Sequence, residues 1–224
     1  MNERMTARLS ALAAVSDPPR RALFDFVRRS DAPVSRDDAA AAAGMPRSTA
    51  AFHLDRLVEE GALAVEFKRV GGKTGPGSGR PSKLYHPVSA ELSASVPDRD
   101  YELAGELLAA AIDQADRSGE PVREALTRVA VEAGRELGLR AGSLEAALDD
   151  TGYEPTDDGA GGMLLINCPF HQLATSHTEV ICHANLGLLK GVAEGVGDVE
   201  HDIRFSPADG RCCVHIAARG RAKS

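Results

Sequence analysis

Four cysteines, Cys168, Cys182, Cys212 and Cys213, fall in the last quarter of the chain, and the sequence has no others. Thiolates are soft donors. Drawn together from separate elements, they hold zinc or an iron–sulfur cluster. His171, His177, His183 and His215 are interspersed with them and could complete a shell. No Cys-x-x-Cys pair is present. Cys212 and Cys213 are adjacent, and strand neighbours point to opposite faces. Only one of the two is therefore expected to face a site shared with Cys168 and Cys182, and either could be that one. The plainer reading is burial of small apolar side chains or redox-only thiols. Cys168-Pro169 with His171 is the one hint of a thiol-dependent enzyme. No nucleophile–base–orienter set accompanies it, so catalysis is not expected.

A second chemical group lies near the other end, in PRSTAAFHLDRLVEEGAL, residues 46–63. Ala50, Leu54, Leu57 and Val58 recur at helical spacing and define a buried stripe. Ser48 and Thr49 suit a helix entrance, and Gly61 suits its end. Away from the stripe lie Arg47, Ser48, Thr49, Phe52, His53 and Arg56. These are cationic, short polar or flat side chains, suited to a groove in double-stranded DNA. Lys73, Arg80 and Lys83 follow on a Gly-rich stretch flanked by strand patterns, where they could lie along phosphates. Gly71–Gly79 is not a phosphate-binding loop of the nucleotide type, because no Lys-Ser/Thr pair opens a helix after it. The pairs Asp149-Asp150 and Asp157-Asp158 lack the alternation of a calcium loop.

The elements that would position these groups can be read in order. Leu9–Ala14 is a short amphipathic helix. Asp17-Pro18-Pro19 caps a helix over Arg20–Arg29, whose apolar side is Leu23, Phe24, Phe26 and Val27. Ser35 caps the next, with Asp37 and Asp38 in its first turn and Gly44 after its end. Helix, short Gly-containing turn, helix is the helix-turn-helix spacing. Leu63–Val70 alternates as a strand and residues 82–87 resume as one, which makes a hairpin wing. Beyond it, helices are expected over Tyr101–Arg117, Val122–Leu137 and Leu144–Leu148. Met163–Pro169 reads as a strand ending at a Cys, His177–Val196 as a helix, and Asp198–Phe205 and Arg211–Ala217 as two closing strands. The class is α+β: a winged helix-turn-helix over residues 1–90, a linker or dimerisation helix over 91–118, and an α+β sensor domain over 119–224.

Charge supports that division. The first 90 residues carry 14 Lys+Arg against 10 Asp+Glu, and the remaining ones 12 against 23, within a net charge of −7. Only the first part suits a polyanion. The N-terminus lacks a secretory pattern, and no apolar run reaches the roughly 20 residues needed to span a bilayer. A cytoplasmic protein with no membrane role is the expectation.

Residues 7–88 resemble the winged helix-turn-helix of ArsR-like and MarR-like bacterial regulators, through STAAFHLDRLVEEGAL and GRPSKLY. That resemblance implies a homodimer on palindromic DNA, with the helix in the major groove and the wing on the backbone. Residues 100–218 resemble the sensor half of SufR-type iron–sulfur-responsive repressors, and also 4-vinyl-reductase-like effector domains. The residues that carry this are Asn167-Cys168-Pro169-Phe170, Val180-Ile181-Cys182 and Gly210-Arg211-Cys212-Cys213-Val214-His215-Ile216. The resemblance implies a cluster held by Cys168, Cys182 and Cys212, with Cys213 the rival for the third place. Zinc, or a metal-free pocket for an organic effector, is the alternative.

Overall fold

The computed structural model describes residues 3–68, 81–89 and 91–219. The chain divides into two compact units, Met1–Ala94 and Ser95–Ser224.

In the first unit, α1 (Glu3–Ser16) and α2 (Pro18–Arg29) precede a two-residue strand, β1 (Val34–Ser35). Then come α3 (Arg36–Ala42), α4 (Arg47–Glu59), β2 (Leu63–Lys68) and β3 (Ser82–Pro87). The expected caps are present. The Asp17 carboxylate accepts from the Arg20 N–H, and the Ser35 hydroxyl from the Asp38 N–H. Each satisfies a backbone donor that a helix start leaves open. Helix α1 is longer than expected. Ser48 and Thr49 cap nothing: α4 begins after Pro46 with no side-chain cap, and both residues lie exposed in its first turn. Gly61 has φ 77°, the left-handed turn that ends α4 and lets Ala62 and Leu63 enter the core. Leu23, Leu54, Leu57 and Ala50 are fully buried together there. The strands form one antiparallel sheet in the order β1-β3-β2, with Val34 opposite Tyr85 and Val65 opposite Tyr85 on the other side. Strand β1 is too short to show a period in sequence. The segment after β3 stays with this unit: Leu92 packs on its core and Arg8 Nε donates to the Ser93 carbonyl at 2.7 Å.

In the second unit, α5 (Tyr101–Ser118), α6 (Val122–Ala141) and α7 (Leu144–Asp150) precede β4 (Pro155–Asp157) and β5 (Met163–Leu165). They are followed by α8 (His171–Ser176), α9 (Thr178–Val196), β6 (His201–Phe205) and β7 (Val214–Ala218). The sheet is antiparallel in the order β4-β5-β7-β6. Helix α5, expected as a linker, gives Ala104, Leu107, Ala111 and Ala115 to this core. Three expected strands are shorter than read, β6 beginning at His201 rather than Asp198. β5 stops at Leu165, before Asn167 and Cys168, and β7 starts at Val214, after Cys212 and Cys213. Pro169 lacks an N–H to continue the ladder, and Asn167 is drawn across to two backbone carbonyls instead.

The closest packing in this unit is backbone to backbone, between α6 and α9. Gly187, Gly191 and Gly195 repeat every fourth residue on α9 and face the Thr127, Val131 and Arg135 carbonyls of α6, while Gly134 and Gly138 on α6 face the Leu188 and Val192 carbonyls of α9. A Cβ added at Gly134 would lie 2.0 Å from the Leu188 carbonyl oxygen, and one at Gly191 2.0 Å from that of Val131. Glycine inside a helix costs roughly 1 kcal/mol against alanine, so five along one contact mark a constraint of space. The expected outcome is that Gly191→Ala lowers stability by about 3 kcal/mol or more through forced helix separation. Gly105→Ala, on an open part of α5 with nothing within 4 Å, should raise it by about 0.5–1 kcal/mol. Urea unfolding of both variants checks the pair, and a Gly191→Ala protein as stable as the parent would refute the contact.

Candidate nucleic-acid surface and thiol cluster

On α4 the stripe Ala50, Leu54 and Leu57 is buried, and Arg47, Ser48, Thr49, Phe52 and Arg56 are exposed. His53 differs from expectation. It is half-buried, its Nδ1 is enclosed without a hydrogen-bond partner, and its ring meets that of Phe52 edge to face at 5.4 Å. Each cation placed here meets a carboxylate. Arg47 Nε lies 2.5 Å from Asp37 Oδ1. Arg56 reaches Glu59 at 3.1 Å and Glu60 at 2.5 Å. Lys83 Nζ lies 2.5 Å from Asp55 Oδ1, an oxygen that also accepts from the Tyr85 hydroxyl at 2.8 Å. The Lys83 ammonium also sits 5.2 Å from the centre of the Tyr85 ring.

Partial burial works against the Asp55 carboxylate, but hydrogen bonds from Lys83 and Tyr85 outweigh it and hold its pKa below the ordinary value. Burial, and donation to Asp55, push the Tyr85 phenol up. The Asp55–Tyr85–Lys83 contact therefore joins α4 to β3, and Lys83 serves that joint in this conformation. Sequence spacing had no means of pairing residues 55 and 83. Beside these groups a cleft of about 350 Å³ opens between the start of α3, the start of α4 and the sheet, lined by Ser35, Arg36, Arg47, Ser82, Lys83 and Phe67. Lys73 and Arg80 lie outside the described residues.

In the second unit all four thiols are brought together. Cys168 sits on the turn between β5 and α8, Cys182 on α9, and Cys212 and Cys213 on the irregular segment before β7. Cys168, Cys182 and Cys212 are buried and Cys213 half-buried. Their thiols lie near enough to shift one another's ionisation, Cys168 with Cys212, Cys212 with Cys213, and Cys213 with Cys182. The expectation that Cys212 and Cys213 diverge is thus corrected. That expectation assumed strand geometry, and the backbone is not a strand there. Hydrogen bonds from Cys168 and Cys213 hold the Cys212 thiol well below its ordinary pKa, helped by the Val214 N–H and the Asn185 amide. Contact with Cys213 likewise lowers Cys182. Cys168 and Cys213, as the donors, are pushed up. Among the described residues no three His, Cys, Asp or Glu side chains already surround a common metal position.

Two buried residues that sequence reading missed hold this cluster. Tyr153 and Asn185 are each 1% exposed. The Tyr153 hydroxyl donates to Asn185 Oδ1, which leaves Asn185 Nδ2 to donate to Cys212 Sγ at 3.2 Å. Asn185 could have been found as a lone amide one turn after Cys182 in an otherwise apolar helix face. On the other side, Asn167 Nδ2 donates to the Gly152 carbonyl at 2.7 Å and the Asp98 carbonyl at 2.8 Å. Arg99 donates to Asn167 Oδ1, and Cys212 N–H to the Leu165 carbonyl at 2.8 Å. The turn bearing Cys168 is thereby clamped.

The histidines do not join the thiols. His215 Nε2 lies 2.7 Å from Asp158 Oδ2. His183 Nδ1 contacts the Glu179 carbonyl at 2.6 Å, and its ring stacks on Phe205. His171 and His177 are exposed. An apolar crevice among Ala104, Leu107, Leu126, Phe170, Ile181 and Ala184 has room of about 10 Å³, about that of one water.

Residues 15–66 match a family model described as a helix-turn-helix domain, which covers α2, α3 and α4 and most of β2. No curated protein matches the chain. No solved structure matches it. Among the described residues no helix is long and apolar enough to cross a membrane. The chain carries an N-terminal helix-turn-helix region, and that region supports a DNA-binding transcriptional regulator.

Proposed function

We propose that this chain is a homodimeric, sequence-specific regulator of transcription whose affinity for double-stranded DNA is set by an iron–sulfur cluster or zinc on the thiols of the second unit. The observation that carries the second half of this reading is the convergence of four thiols from three separate segments, three of them buried. Sulfur donors of this number and burial suit a soft metal. Such a group would supply a redox- or metal-dependent charge within the second unit's core. Cys168, Cys182 and Cys212 are the proposed ligands and Cys213 the alternate.

The chain's own residues have defined parts in this reading. Asn185, oriented by Tyr153, places an N–H against Cys212 and favours negative charge on that sulfur. The Asn167–Arg99 clamp holds the Cys168 turn to the segments before α5 and after α7. On the DNA side, Arg47, Ser48, Thr49, Phe52 and Arg56 are the groove-facing set, and His53 contributes through its contact with Phe52. Lys73, Arg80 and Lys83 are proposed for the backbone. Two half-sites read by two copies make spacing between recognition helices the controlled variable. A thiol-dependent enzyme is disfavoured: Cys168 is engaged by Cys212 and by the Phe170 N–H, and the neighbouring His171 points to solvent.

Anaerobic purification of the full chain, with metal and sulfide analysis, tests the sensor. Bound iron with acid-labile sulfide and broad visible absorption is expected, or one zinc without colour. Cys168→Ser, Cys182→Ser and Cys212→Ser should each lower the bound metal. A metal-free protein from that preparation would sink the metal reading and leave the DNA reading standing.

The carboxylate partners give a separate expectation for DNA. Each phosphate contact adds about −0.9 to the slope of log K against log salt. Arg47→Ala should flatten that slope by about 0.9 and weaken binding. Asp55→Asn frees Lys83 for a phosphate and should steepen it by about as much. Equal slopes for parent and both variants on duplex DNA would remove these residues from the interface.

A further inference from the structure

Phe52 is 67% exposed on the helix that the DNA reading places in the major groove. Single exposed apolar residues are common, so exposure alone decides nothing. Its place does. Ser48, Phe52, Asp55 and Glu59 follow one another at spacings of four, three and four, and form the ridge opposite the buried Ala50–Leu54–Leu57 stripe. The C-terminal part of that ridge is acidic and would be repelled by phosphates. The first two turns, Arg47 to His53, carry no carboxylate and can approach base edges. Within that stretch the exposed side chains are Arg47, Ser48, Thr49 and Phe52, and Phe52 alone among them is apolar. The half-buried His53 ring meets it edge to face at 5.4 Å and steadies its direction.

The major-groove floor offers hydrogen-bond donors and acceptors at every base pair and one apolar group, the C5-methyl of thymine. A phenyl ring there has no hydrogen bond to make. It would leave unpaired any donor or acceptor it covered, and it gains by covering a methyl. We infer that Phe52 is a specificity-determining residue that reads thymine methyl groups, and that the operator carries a thymine at the matching position of each half-site. The inference rests on the DNA-binding reading above and names the base for one residue of it.

The test uses the full-length protein and a duplex enriched by it from a random-sequence pool. Each thymine of that duplex is replaced in turn by deoxyuridine, which removes the methyl and nothing else. Covering one methyl is worth about a fourfold change in affinity. The expected result is a loss of about fourfold at one position per half-site with the parent protein. Phe52→Ala should bind the thymine duplex more weakly and be indifferent to that replacement. Phe52 lies at the surface, so the variant should fold, and the deoxyuridine scan of the parent does not depend on it. Equal affinity for thymine and deoxyuridine at every position would overturn the inference while DNA binding stands. So would a Phe52→Ala protein that keeps the same sensitivity. A pool in which no sequence is enriched would overturn the sequence-specific reading itself, and this inference with it.

Discussion

The second unit depends on how closely α6 and α9 approach. Five glycines remove the side chains that would hold the two backbones apart, and carbonyl oxygens of each helix occupy the space where Cβ atoms would be. Backbone contact of this kind tolerates little sliding, because each carbonyl sits opposite one glycine. Helix α9 carries Cys182 and Asn185, so its register on α6 also sets where that thiol and that amide stand. From there Asn185 reaches Cys212, and Tyr153 reaches Asn185. The sulfur cluster is thus positioned by a glycine contact that contains no sulfur, with the ion pairs Arg123–Glu179 and Arg135–Glu194 beside it.

The first unit follows a different logic. Its core is ordinary aliphatic packing, and its solvent face is built from matched charges. Exposed ion pairs are worth little to stability, and these are no exception. Their consequence is electrostatic: Arg47, Arg56 and Lys83 present a surface close to neutral until a stronger anion competes for them. A protein with such a surface gains less from indiscriminate attraction to nucleic acid and relies more on contacts that distinguish one sequence from another.

Much of this was legible in the sequence because it is local. The caps Asp17 and Ser35, the stop at Gly61 and the apolar stripes of α2 and α4 depend on neighbours within a few residues. What was not legible depends on pairing across long separations. Asp55 with Lys83, Tyr153 with Asn185, and Asn167 with the carbonyls of Asp98 and Gly152 leave no periodic trace. Two of the shortened strands, β5 and β7, show the same limit. Alternation extended them over Asn167-Cys168 and Cys212-Cys213, where side-chain hydrogen bonds and Pro169 redirect the chain. The glycine contact lies between these cases: the four-residue repeat on α9 is plain in the sequence, but its partner on α6 is not.

The burial of the thiols has a consequence in time. Cys168, Cys182 and Cys212 are each less than 9% exposed, and Cys213 alone is half-open to solvent. Reagents and ions meet such a cluster through Cys213 first, and reach the other three only when the surrounding segments part. Local opening of a packed core is slow compared with diffusion and differs from region to region. The chemistry at these sulfurs therefore keeps the pace of the protein's own breathing.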